Sequence, residues 1–104
     1  MQEVESMTKQ QHSKSILQRG KYCFETGMEN VPLERHHTMN GTAYRKKAEE
    51  DGLWIWLMPQ VHQYIHGTSE GHKLLIEYKR LSQTVYEMTH TREEWIERYG
   101  KNYL

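Results

Sequence analysis

The sequence predicts a small α+β domain, mostly helix with few strands. Three observations predict it. Residues 70–90 repeat apolar positions at three- and four-residue steps (Leu74, Leu75, Tyr78, Leu81, Val85, Met88), the period of an amphipathic helix. Residues 53–57, LWIWL, form a short aromatic and β-branched run between Gly52 and Pro59, with the length and composition of a strand. The chain has 104 residues, room for one domain.

The elements follow in chain order. Residues 1–20 are polar and close at Gly20; they read as a short helix contacting the body through Ile16 and Leu17, or as an arm. KYCFE and VPLERHH flank Thr26-Gly27-Met28-Glu29-Asn30, so Tyr22, Phe24, Val31 and Leu33 predict a β-hairpin. Thr38-Met39-Asn40-Gly41 is turn chemistry. Thr42 before AYRKKAEED and Gly52 after it predict a helix of about two turns with both ends capped. LWIWL is the next strand. Pro59 opens a helix through QVHQYIH, since the first helical position needs no N–H donor. Ser69 caps the long helix. Thr91 with Glu94 is a capping box for a last helix through Arg98, ended near Gly100, which packs Trp95, Ile96 and Tyr99 against the body. No repeat or linker interrupts the chain, so residues 21–104 read as one domain, with a helical part over 69–99.

Composition excludes several classes. No apolar run approaches the roughly 20 residues of a membrane span, and MQEVESMTKQQHSK lacks the apolar region of a secretory signal; the expected compartment is the cytoplasm. A single cysteine, Cys23, rules out an internal disulfide framework and any zinc site of several thiolates. It is expected to be a small buried hydrophobe. The 14 basic and 14 acidic residues cancel, but unevenly. Residues 22–34 hold Glu25, Glu29 and Glu34 and no base, and residues 35–48 hold Arg35, Arg45, Lys46 and Lys47 and no acid. Such a basic patch engages phosphate even on a neutral protein; the plainer alternative is a solvated helix face.

The seven histidines carry the chemistry through their spacing. His62 and His66, four apart on a helix, share a face and can offer two imidazoles to one metal ion; alone, such a pair can also be accidental. His36 and His37 point to opposite faces of a strand, and reach one site only where the strand breaks, as it does at Thr38. His72 is expected to cap or lie at the surface, and His90 to sit at the end of the long helix near its negative pole. Trp54 and Trp56 share one strand face and read as core before they read as a base-stacking platform.

A His-His pair on a strand, a second strand, then His-x-x-x-His on a short helix is a ββα arrangement. With CFETG, ERHH, GTAYRKKAEEDGLWIWLMP and REEWIERYGKNYL, it resembles the HNH (ββα-metal) endonuclease superfamily. The His spacing is similar to that of colicin-type DNases, and Cys23–Leu104 is similar to small phage-encoded HNH-like proteins. The resemblance implies a ββα-metal core at about residues 22–67 followed by additional C-terminal helices. It implies one divalent ion (Zn, Mg, Mn or Ni) on His36, His62 and His66, with His37 as the general base that takes a proton from water. Arg35, Arg45, Lys46 and Lys47 would hold DNA phosphates. The implied activity is metal-dependent phosphodiester hydrolysis in DNA, by nicking or double-strand cleavage, in phage DNA processing or recombination. A homodimer or a phage or host recombination or replication protein would be the partner.

The sequence departs from the family in two places. Leu53 stands where these enzymes usually have an asparagine that braces the loop carrying the base, although Asn40 lies in that loop. The two C-x-x-C zinc knuckles of many relatives read here Cys23-Phe24-Glu25-Thr26 and Met58-Pro59-Gln60-Val61. Leu53 keeps an alternative expectation in view: a catalytically inactive protein of this fold that binds nucleic acid or a host protein.

Overall fold

Residues 14–104 are described in the computed structural model. They form an α+β structure in the order β1 (Glu34–His37), α1 (Arg45–Asp51), β2 (Trp54–Leu57), α2 (Pro59–Gly67), α3 (Ser69–Tyr86) and α4 (Arg92–Tyr99). The two strands pair antiparallel, with His36 opposite Ile55 and His37 opposite Trp54. Their connection is α1 and its flanking turns.

The hairpin expected around residues 26–30 does not form. Residues 21–33 make no strand; Cys23 and Met28 close a tight turn (Cys23 N–H to Met28 O, 2.9 Å; Gly27 N–H to Cys23 O, 2.7 Å). The strand signal in VPLERHH survives only over its last four residues, because β2 supplies the partner. Phe24 N–H donates to Trp56 O at 2.8 Å, so this turn borders the outer edge of β2. Residues 15–18 meet the same edge, where Ser15 Oγ donates to Trp54 O and Gln18 Oε1 accepts from Trp56 N–H. An otherwise open strand edge is thereby paired and covered. Residues 14–20 form bends and no helix; the first 13 residues of the polar stretch, His12 among them, lie outside the described residues.

The helix ends follow capping chemistry, shifted by a residue or two from expectation. Gly52 closes α1 in the left-handed conformation at φ 74°, where Lys14 O also approaches too closely for any side chain. Thr42 does not cap α1; the N-cap is Tyr44, without a side-chain bond. Pro59 opens α2. Thr68, not Ser69, caps α3, its hydroxyl accepting from Gly71 N–H. The Thr91–Glu94 capping box and the left-handed Gly100 are present as read from the sequence.

Two apolar clusters hold these elements. Met39, Ala48, Leu53, Tyr86, Trp95 and Tyr99 form one, and Cys23, Ile55, Leu57, Ile65 and Tyr78 the other. Cys23 is fully buried, as its solitary position implied. The apolar stripe of α3 is less deeply used than its period suggests. Tyr78 and Tyr86 are buried while Leu74 and Leu75 are only partly so, and Met88, beyond the helix, is 74% exposed. Polar Ser82 and Gln83 are buried in their place, satisfied by Thr38, Asn102, Glu87 and the Tyr103 N–H. Ile96 faces outward, while Trp95 and Tyr99 pack. No helix of the described residues is long and apolar enough to cross a membrane.

At the α2–α3 corner the two backbones nearly touch. A Cβ on Gly71 would meet Tyr64 O at 2.0 Å and Ile65 Cα at 2.6 Å, whereas one on Gly67 would meet nothing. Gly71→Ala is therefore expected to cost about 3 kcal/mol and Gly67→Ala less than about 0.5 kcal/mol. Urea denaturation of both variants checks the contrast; equal costs would mean that the corner is not packed this tightly.

Candidate metal centre

β1 ends in two histidines that its pairing sends to opposite faces. His36 is 3% exposed and turns toward α2, where the four-residue spacing has placed His62 and His66 on one side. The three rings lie 5.1–5.7 Å apart by centroid, and one nitrogen from each falls within 4.8 Å of the others. Three histidines are thus close enough together to hold a metal ion, and they are the three expected as ligands.

The polar atoms of the cluster fit that role. His36 Nε2 is buried and has no hydrogen-bond partner, a state that costs free energy unless something else satisfies the lone pair. His62 Nδ1 lies 2.8 Å from Glu34 Oε1. A carboxylate only accepts, so Nδ1 carries the proton, and in the neutral ring Nε2 is the nitrogen with a lone pair to offer. Burial and the neighbouring imidazoles push His36 down to about 3, and the same two causes lower His66. Both are held neutral, the form that ligates. All-imidazole donors suit Zn, Ni or Mn at least as well as Mg.

His37 leaves β1 on the other face, where its Nε2 stands 2.7 Å from Glu49 Oε1 on α1. By the same reasoning Nε2 carries the proton and Nδ1 is the basic nitrogen. Arg35 Nη1 holds the other oxygen of Glu49 at 3.0 Å, and its guanidinium stacks 3.6 Å from the centroid of Trp54. Because β1 gives way to a turn at Thr38, His36 and His37 line one cleft of about 920 Å³, together with Asn40, Arg45, Lys46 and Glu49.

Of the expected phosphate contacts, Arg35, Arg45 and Lys46 line this cleft. Lys47 does not: its Nζ donates to Arg98 O at 3.2 Å, on the α4 side. Leu53 is fully buried, and its carbonyl accepts from both Thr38 N–H and Thr38 Oγ1. Thr38 Oγ1 also meets Ser82 Oγ, so the loop after His37 is braced by a threonine instead of an asparagine. His72 contacts the His66 carbonyl. His90 lies past the end of α3 and stacks on Tyr86.

Glu34 and Glu49 were not singled out by the sequence reading. Their partners lie 28 and 12 residues away, and no local spacing marks them. Comparison with protein-family models, with curated proteins and with solved structures gives no match.

Two outcomes follow. Added Zn, Ni or Mn at about a hundredfold over Kd is expected to stabilise the chain by about 2.7 kcal/mol, read as a rise in melting temperature, and His66→Ala is expected to lose most of it. Equal shifts in both chains would remove the site. In metal-free protein, an unfolded chain protonates His36 near pH 6.5 while the folded one resists to about 3. Across that window the unfolded state binds the extra proton, so stability falls as pH drops. From pH 7 to pH 5, wild type is expected to lose about 2 kcal/mol more than His36→Phe, checked by urea titration at both pH values.

Proposed function

We propose that this protein is a metal-dependent DNA endonuclease with a ββα-metal core. The observation that carries this reading is the pairing of two histidine environments in one cleft. Three imidazoles converge around the orphaned His36 Nε2, and beside them a fourth, His37, is held by a carboxylate and takes no part in that cluster. A purely structural metal site saturates its ligands and has no use for a carboxylate-held histidine beside them.

The chain's own residues then divide the work. His36, His62 and His66 hold one divalent ion, with Glu34 fixing the orientation of His62. When bound, such an ion offsets charge that develops on a phosphodiester during displacement. His37 Nδ1 takes a proton from the attacking water, and Glu49 holds the Nε2–H so that Nδ1 is the nitrogen left to accept it. Arg45 and Lys46, exposed at the start of α1, bind flanking phosphates. Arg35, held by Glu49 through Nη1, adds its positive charge to the cleft wall.

A second reading keeps the fold and the metal but not the cleavage, and Leu53 favours it. Its side chain is sealed in the apolar core and offers the cleft nothing polar.

Incubation of supercoiled plasmid with Mg, Mn, Ni or Zn separates the two. The nuclease reading expects nicking that His37→Ala lowers by about 10²–10⁴ while metal binding persists. Glu49→Ala is expected to lower kcat by about 10–100-fold with little change in KM. A chain that binds metal and leaves the plasmid intact under every ion would be the binding protein.

A further inference from the structure

Arg35 separates the histidine cleft from a second concave surface. This groove, of about 580 Å³, is lined by Lys14, Gln18, Arg19, Trp54 and Trp56, shares Arg35 with the cleft, and has no carboxylate among the described residues of its wall. Lys14, Arg19 and the adjoining Lys21 are exposed. The segment that bears them is nevertheless fixed: Ser15 Oγ and Gln18 Oε1 bond the backbone of β2, and Ile16 N–H donates to Gly52 O at 2.9 Å.

Of the two tryptophans, Trp54 is buried, as a core residue was expected to be, and Trp56 is half-buried. Ile55 and Leu57 occupy one face of β2 and enter an apolar cluster, whereas neither Trp54 nor Trp56 belongs to either cluster. Their rings meet edge to face at 5.3 Å and carry cations, with Arg35 3.6 Å from the Trp54 centroid and Lys21 4.8 Å from that of Trp56. Arg35 is also paired with Glu49, whereas Lys21 is positioned by the indole face itself. Lys21 is positioned in this way at little further cost in side-chain entropy.

We propose that this groove is a second phosphate track, in which Lys14, Arg19 and Lys21 grip the backbone of a DNA strand continuing past Arg35 from the histidine cleft. The inference rests on reading that cleft as a DNA site. Arg45 and Lys46 on one side of Arg35, and Lys14, Arg19 and Lys21 on the other, make a cationic path across a protein whose formal net charge is zero. Phosphate contacts of this kind set register and affinity and read no sequence.

The test is binding of a short fluorescein-labelled DNA duplex to the full chain in EDTA, by anisotropy across a salt series. Arg19→Gln/Lys21→Gln is expected to weaken binding roughly tenfold and to reduce the salt slope by about two. Lys73→Gln/Arg80→Gln on α3 makes the same change in net charge away from the groove and is expected to leave both unchanged. In the wild type, DNA is expected to protect Lys14 and Lys21 from acetylation but not Lys73. Equal weakening by both variant pairs, no weakening by the first, or reactive Lys14 and Lys21 in the complex overturns the track. Plasmid nicking by the wild type judges the cleft separately. Nicking with a neutral groove variant removes only this inference, and a groove effect without nicking removes only the nuclease.

Discussion

The antiparallel pairing of Glu34–His37 with Trp54–Leu57 is the contact on which the site depends. A strand sends neighbours to opposite faces, and this register is what buries His36 against α2 while presenting His37 to α1. A slip of one residue would exchange the two rings. Two strands alone are marginal in water, so the pairing is stabilised from outside. Residues 15–24 cover the free edge of β2, and Thr38 ties the end of β1 to the Leu53 carbonyl and to Ser82 of α3. The bracing is polar and short-range, which suits a loop that must hold a ring in place.

Concentrating three imidazoles around a buried nitrogen is unfavourable by itself. Desolvation opposes the charge on each ring, and each charged ring opposes its neighbours. The outcome is a pair of rings, His36 and His66, held neutral and an unsatisfied nitrogen on His36, a combination that stabilises neither the core nor the surface. Proteins retain such arrangements where a ligand completes them. The polar partners are distributed accordingly: Glu34 occupies the nitrogen of His62 that faces away, while His36 Nε2 is left open.

Much of this was legible in the sequence where the rule is local. The four-residue spacing put His62 and His66 together, Pro59 and Gly52 marked helix ends, and Thr91 with Glu94 closed a capping box. Pairing across the chain was not. Gly27 and Asn30 signal a turn, and a turn forms, but the strand that matters pairs 17 to 23 residues further on, because Ile55 and Leu57 need the core face that β1 completes. Period alone also misjudged α3. Met88 fits the stripe, yet the chain leaves the helix after Tyr86, and the buried positions at Ser82 and Gln83 serve hydrogen bonds to Thr38 and the C-terminal residues. Glu34 and Glu49 could be assigned only once the fold had brought them to their histidines. The basic run split for the same kind of reason: successive residues of a helix face different ways, so Arg45 and Lys46 reach the cleft and Lys47 turns to α4.

That split shows how a helix remote from the cleft helps to set its geometry. α1 is two turns long, too short to persist unaided, and it carries Arg45, Lys46 and Glu49. What anchors it is α4. Arg98 bonds Asp51 and Glu50, Tyr99 OH bonds Asp51, Lys47 bonds the Arg98 carbonyl, and Ala48 packs with Trp95 and Tyr99 in one apolar cluster. The position of Glu49, and through it the orientation of His37, is therefore set by the packing of α4, although α4 lines no part of the cleft. The C-terminal helix is as much a part of the site's architecture as the strand that bears the histidines.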